Sequence, residues 1–184
     1  MYIYTYRKDD IISLEKQRKV VRKMMNLQDY MAKVGVKKKK TVDEWIDKDL
    51  IPGAERDAIT GEYRFLDSSR WPYRSAGLKA GANADKVRAH IVRAALERKY
   101  ISAKMCFASN GEFTAMIEDL VKAELILVRY EDGIMYLDST TKSNAFKKSS
   151  MLELRKFVLE CLTALAEGAA TGTAKAYLEQ ISGT

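Results

Sequence analysis

From Leu27 onward the apolar residues recur mostly at three- and four-residue spacings, broken by short runs of alternation. That pattern predicts short amphipathic helices interrupted by hairpins. Leu27, Tyr30, Met31 and Val34 share one face of a short helix ended by Gly35. Val42, Trp45 and Ile46 form the inward stripe of a second helix, which begins at Thr41 and stops at Leu50-Ile51-Pro52-Gly53. Proline cannot continue a helix, and it disfavours helical geometry in the residue before it. Thr41 and Glu44 stand at capping-box spacing, the hydroxyl serving first-turn amides and the carboxylate reaching back. Residues 54–59 and 62–65 then pair as a hairpin around Thr60-Gly61, and Arg70-Trp71-Pro72-Tyr73-Arg74 closes the unit.

Residues 1–26 precede this unit as an accessory segment. Residues 1–9 alternate weakly, as an extended arm, and Asp9 or Asp10 opens a basic amphipathic helix to about Met25 with Leu14, Val21, Met24 and Met25 near one stripe. Residues 75–83 are rich in small side chains and predict a linker. Asn83 caps a helix through about Lys99, with Val87, Ile91, Ala94 and Ala95 inward; residues 100–108 form an irregular connection. Ser109 and Glu112 make a second capping box, for a helix over about 111–122 along Phe113, Met116, Ile117 and Leu120. Residues 125–130 and 134–137 flank Glu131-Asp132-Gly133, a hairpin signal. Ser150 and Glu153 make a third box, opening a helix of about 17 residues that runs to Gly168, and a last short helix spans about 173–181. The fold class is mainly α with short β-hairpins, that is α+β. The chain divides into 1–26, 27–74, a linker at 75–83 and a helical C-terminal domain at 84–184 with one hairpin.

Composition adds a direction. The 184 residues are 47% hydrophobic and 31% charged, a globular balance, with net charge +7. Residues 1–80 carry 18 Lys/Arg against 12 Asp/Glu, a surplus of +6, whereas residues 81–184 carry 14 against 13, only +1. A cationic half favours a polyanionic partner. Cys106 and Cys161 are far apart in apolar surroundings, as buried reduced thiols would be. The absence of a secretory pattern in residues 1–26 and of any run long enough for a membrane span predicts a cytoplasmic protein that does not enter membranes.

Catalytic chemistry has little to stand on. His90 is the only histidine, and it sits on a helix as a partly buried surface residue; a zinc site of His/Cys type is not provided for. No Gly-rich phosphate loop occurs. Glu118-Asp119 and Glu131-Asp132 are sequence neighbours, which on a helix do not face each other. Asp138-Ser139-Thr140-Thr141 lacks a base to activate a hydroxyl and predicts a turn and helix cap. The expectation is a binding protein, not an enzyme, with no cofactor and no metal.

The stretch Thr41-Val42-x-x-Trp45-Ile46-x-x-x-Leu50-Ile51-Pro52-Gly53, followed by Gly61-Glu62-Tyr63-Arg64, resembles the MerR-type and excisionase-like winged helix-turn-helix family over about residues 24–74. The resemblance implies that the second helix enters the DNA major groove while the hairpin wing meets the backbone, often in a dimer. It implies double-stranded DNA as partner, and a transcriptional regulator or an accessory factor of a mobile element as function. Carried over by residue, it places Lys39, Lys40 and Thr41 at the start of the reading helix and Lys48 near its end. Arg56, Tyr63 and Arg64 fall on the wing, with Arg70 and Arg74 following it. The helix-helix-hairpin order after residue 84 suggests a second winged-helix-like unit, serving homodimerisation or a protein partner. Lys86, Arg88, Arg93 and Arg98 offer a further DNA contact.

One feature departs from the family. Asp43, Glu44, Asp47 and Asp49 surround Lys48, giving residues 41–49 a net charge of −3. An acidic second helix suits an alternative function, a protein–protein adaptor or inhibitor that keeps the scaffold and faces a basic partner. A regulator answering to a small molecule would instead need an apolar pocket, with Phe113, Met116, Phe157 and Cys161 as lining candidates.

Overall fold

A computed structural model of the chain describes residues 23–74 and 77–168. The arm and helix expected before residue 23 and the helix expected at 173–181 lie outside the described residues. Within them the fold is α+β, with six α-helices and two small antiparallel sheets.

The N-terminal unit runs β1 (Met24–Asn26), α1 (Leu27–Val34), α2 (Lys39–Asp47), β2 (Glu55–Arg56) and β3 (Tyr63–Leu66). Its sheet has the order β1-β3-β2, so β3 pairs both with its hairpin partner and with the strand ahead of α1. Met25 faces Phe65 across one ladder, and Arg56 faces Tyr63 across the other. Strand β1 corrects the expectation that Met24 and Met25 end a helix: three residues with no periodicity of their own become a strand because β3 supplies the partner. Asn26 then caps α1 by accepting from the Asp29 amide at 2.9 Å. Gly35, at φ 73°, closes α1 in the left-handed conformation, with the Val36 amide reaching back to the Met31 carbonyl. Tyr30, Val34, Val42, Trp45, Ile51 and Phe65 form the small core, and Tyr30 stacks on Phe65 at 4.3 Å.

Helix α2 begins two residues earlier than predicted. Lys38 is its N-cap, with no side-chain cap bond, and the Thr41 amide donates to the Lys38 carbonyl at 3.0 Å. Thr41 therefore lies inside the first turn, and the Thr41–Glu44 capping box is not what starts the helix. Lysine is a good helix former, so Lys39 and Lys40 extend the helix past the threonine. At the other end Asp49 adopts φ 55° and the Leu50 amide donates to the Trp45 carbonyl, a left-handed helix exit that Asp tolerates better than most residues. That exit accounts for Asp49, one of the four carboxylates that set this helix apart from the family.

The larger unit contains α3 (Ala84–Leu96), a 3₁₀ turn at Lys104–Cys106, α4 (Asn110–Lys122), β4 (Ile126–Glu131), β5 (Ile134–Ser139), α5 (Thr141–Asn144) and α6 (Met151–Ala166). The boxes at Ser109/Glu112 and Ser150/Glu153 form as predicted, and Thr140/Ser143 adds another. Asp132 and Gly133, both at positive φ, make the two-residue turn between β4 and β5. Helix α3 is the central element, with Ile91, Val92, Ala94 and Ala95 fully enclosed among α4, α6 and β5. Phe146 stacks on Phe157 at 3.8 Å beside it. The two cysteines are free and buried.

Arg70, Trp71, Tyr73 and Leu78 tie the units together, where a free linker was expected over 75–83. Tyr73 and Leu78 belong to the larger core. The Tyr73 amide donates to the Tyr100 carbonyl at 2.7 Å, and the Tyr100 amide to Trp71 at 2.8 Å. Arg70, only 8% exposed, donates from one guanidinium nitrogen to the Leu137 carbonyl at 2.9 Å and from another to Asp138 at 2.8 Å. Its guanidinium lies 4.8 Å from the Tyr136 ring centroid. Gly53 marks a close approach: a Cβ there would stand 2.3 Å from Leu66 Cδ1 and 3.3 Å from Ile134 Cδ1. His90 is buried, not at the surface, and its Nδ1 shares a 2.8 Å hydrogen bond with the Tyr73 hydroxyl.

Two outcomes follow. Arg70→Ala should destabilise the chain by roughly 3 kcal/mol in urea denaturation, the low end for breaking a buried pair because Asp138 keeps Arg129 as a second partner. An unchanged midpoint would show that the units do not depend on this pair. Burial, with Lys86 and Arg93 nearby, pulls the His90 imidazole down to about 4. A depressed value means stability is fully present above the unfolded histidine value and declines as pH falls towards the folded one. Urea midpoints should therefore drop between about pH 6.5 and pH 4, and His90→Gln should flatten the part of that drop above the carboxylate range.

Candidate nucleic-acid interface

Lys37 and Lys38 stand in the loop before α2 and Lys39 and Lys40 in its first turn, all exposed. Among the described residues none of these four ammonium groups makes a hydrogen bond or an ion pair. They surround a helix N-terminus that has no side-chain cap, so the first-turn amides and the positive end of the helix dipole add to the same site. This is the densest patch of uncommitted cations that the described residues offer, and it fits an anion.

Past that first turn the sign changes. Val42 and Trp45 point into the core. At 100° per residue, Lys40, Glu44 and Asp47 then share the opposite, outward ridge with Asp43 at its flank. Asp43 and Glu44 are half-buried and Asp47 is exposed. Lys48, at the C-terminal end, is exposed as well, while its carbonyl accepts from Lys104 at 3.1 Å. The helix is thus cationic at one end and acidic along its side.

The β2–β3 hairpin is shorter than predicted, with residues 57–62 forming a braced loop in place of longer strands. Asp57 organises it. Its Oδ1 accepts from the Ile59 and Thr60 amides at 2.9 Å each, its carbonyl accepts from Gly61 at 2.9 Å, and its amide donates to Glu62 at 2.8 Å. Arg64 pairs with the other Asp57 oxygen at 2.8 Å, a partner the sequence did not suggest. The amides of Thr60 and Ile59 hold the Asp57 carboxyl below its ordinary range, with the Arg64 charge adding to them. Arg56 donates through Nε to the Gly61 carbonyl at 3.0 Å. Tyr63 is half-buried against the small core, so it supports the hairpin from beneath. Over residues 55–64 two arginines meet three carboxylates, a net charge of −1.

The remaining predicted residues divide. Arg74 is exposed, with its guanidinium 5.6 Å from the Trp45 ring centroid. Arg70 is not available to a phosphate: it is buried and committed to Leu137 and Asp138, as described above. The further contact expected on α3 is also mostly spent inside the fold. Arg88 pairs with Asp119 at 2.7 Å and Asp85 at 3.3 Å, Arg93 donates to the Lys147 and Ser149 carbonyls, and Lys86 donates to Gly77. Phe113, Met116, Phe157 and Cys161 are buried members of the main core. Among the described residues no group of His, Cys, Asp or Glu is arranged to hold a metal ion, and no helix is long and apolar enough to cross a membrane.

Sequence reasoning missed Ile59, placed there at a strand end. It is 96% exposed at the tip of the braced loop. The available signal was Asp57, two residues earlier, since aspartate bonds backbone amides two and three residues on and ends a strand.

Comparison with known proteins returns no matching family model, no matching curated protein and no matching solved structure.

The loop geometry sets an outcome for Asp57→Ala: the Ile59, Thr60 and Gly61 amides should exchange with solvent markedly faster in hydrogen–deuterium exchange. Because the folded value is depressed, the wild-type loop should stay protected above about pH 4 and loosen as pH falls through the lowered Asp57 value. Equal protection in wild type and variant would remove Asp57 as the organiser.

Proposed function

We propose that this chain binds double-stranded DNA through a winged helix-turn-helix formed by its N-terminal unit, as a transcriptional regulator or an excisionase-like accessory factor. The observation that carries the proposal is the set of four exposed lysines, Lys37, Lys38, Lys39 and Lys40, free of partners among the described residues and gathered at the uncapped start of α2. Phosphate oxygens meet both ammonium groups and free helix amides there, and neutralising phosphates releases condensed counterions. The β1-β3-β2 sheet beside two short helices supports the winged arrangement.

The charge pattern favours end-on entry of α2. Lys39, Lys40 and the Thr41 turn approach the groove, while the ridge carrying Glu44 and Asp47 stays out of it. The wing contributes through Arg56 and Arg64 only locally, because three carboxylates offset them. Lys48 and Arg74 remain exposed flanking cations. The larger unit, fixed to the first through Arg70, is assigned to homodimerisation or to a protein partner.

One observation favours a second reading. The acidic ridge of α2 and the net negative hairpin together suit a basic protein partner, which would make the chain an adaptor or inhibitor on the same scaffold.

The test is retardation of duplex DNA across a salt series, comparing wild type with the Lys39→Ala/Lys40→Ala/Arg64→Ala variant. Each phosphate contact contributes about −0.9 to the slope of log affinity against log salt. The triple variant should bind more weakly, with a slope shallower by about 2 to 3. Unchanged binding in the variant would remove these residues from the interface. No retardation by wild type at low salt, with a stoichiometric protein co-purifying, would decide for the adaptor.

A further inference from the structure

We propose that Ile59 is an apolar wedge that enters the minor groove and unstacks a base step of the bound duplex. This rests on the DNA-binding reading and concerns what the hairpin tip does within it.

The charge of the hairpin does not favour the expected role of a backbone clamp. Over residues 55–64 its arginines are outnumbered by Glu55, Asp57 and Glu62, and Arg64 is already paired with Asp57. Long-range attraction to phosphates therefore cannot be its main contribution. What the loop presents foremost is an isoleucine that is 96% exposed, the most exposed of the large apolar side chains among the described residues. A single exposed apolar residue is ordinary on a protein surface. Its mounting here is not. Four backbone hydrogen bonds centred on Asp57, the Arg56–Gly61 bond and the Arg64–Asp57 pair fix the loop from both sides. The structure thus spends its polar groups on holding an apolar tip outward, where a looser loop would let it fold back onto the hairpin.

An isoleucine has no hydrogen bond to offer a phosphate or a base edge. On a duplex its favourable surfaces are the thymine methyl in the major groove and the faces of the stacked bases. With α2 in the major groove, the hairpin beside it falls towards the neighbouring minor groove, which is too narrow for a two-stranded ribbon but admits one protruding side chain. Aliphatic side chains inserted there separate adjacent base pairs, and flexible pyrimidine–purine steps yield most easily.

The test uses a duplex of about 20 to 30 base pairs containing TpA steps, with 2-aminopurine placed at successive positions. Wild type and Ile59→Leu should each raise 2-aminopurine fluorescence several-fold at one or two adjacent positions. Ile59→Ala should abolish that rise and bind about tenfold more weakly, with an unchanged salt slope because no charge is removed. Asp57→Ala, which keeps the isoleucine but frees the loop, should reduce the rise. A duplex bound by wild type without any fluorescence change, or a rise that survives Ile59→Ala, overturns the wedge and leaves DNA binding standing. The wedge is overturned in the same way if affinity depends on Ile59 only through thymine methyls, read as a loss on replacing thymine by uracil. Failure of wild type to retain the duplex even at low salt overturns the DNA reading, and the wedge falls with it.

Discussion

Arg70 is the residue through which both halves of the molecule must agree. Its carbonyl accepts from the Tyr30 hydroxyl of the small core at 3.3 Å, while its guanidinium reaches the Leu137 carbonyl and Asp138 on β5. Burial alone would raise the Asp138 carboxyl, but the hydrogen bonds and charges of Arg70 and Arg129 outweigh it and hold it below its ordinary range. An arginine placed this way suits a junction: its rigid fork satisfies two acceptors at once, and its flat face rests on Tyr136. Taking such a charge out of water costs several kcal/mol unless every partner is in place. The geometry on β5 therefore selects one position for residues 68–73. The Ser68–Asp132 bond at 2.8 Å and the close approach at Gly53 refine that position. The hairpin and α2 are consequently displayed by a single structure, not by a small module on a tether.

The parts of this fold that were legible in the sequence are those fixed within one turn or one helix. Ser109/Glu112 and Ser150/Glu153 are reciprocal contacts three residues apart, so the sequence contains both partners. Asp132-Gly133 carries its own turn chemistry. The inward stripes of α1, α3, α4 and α6 follow from periodicity. What failed depended on distant partners. Strand β1 exists because of β3, nearly forty residues away in the chain, and three residues have too little pattern to declare it. The Thr41–Glu44 spacing was a true motif defeated by its neighbours, since two lysines extended the helix past it. Arg70 looked like one more cation on a basic segment, and nothing local distinguishes it from Arg74, which stays in solvent. The same holds for Arg88 and Arg93, whose partners sit on α4 and on the loop before α6. Charge counts told where cations lie along the chain; only folding decides which of them are spent.

That distinction bears on how an acidic helix can serve a nucleic acid. With a rise of about 1.5 Å per residue, Asp47 lies about 10 Å along the axis from Lys40, whereas Asp43 and Glu44 lie only about 5 to 6 Å away. At physiological ionic strength exposed charges are screened over about 8 Å. A phosphate seated at the start of α2 therefore feels Lys37, Lys38, Lys39 and Lys40 together with the dipole, opposed by Asp43 and Glu44 but largely not by Asp47 or Asp49. The local balance stays positive, near +2 before the helix end is counted. A phosphate laid alongside the helix would meet Glu44 and Asp47 directly and be repelled. Screening thus converts an overall negative helix into a site with a direction: favourable through its end, unfavourable along its flank. A basic protein partner would prefer the opposite approach, onto the ridge. The two functional readings correspond to two faces of one helix, and the lysines at its start, uncommitted where Arg64, Arg70, Arg88 and Arg93 are bound up, weigh towards the first.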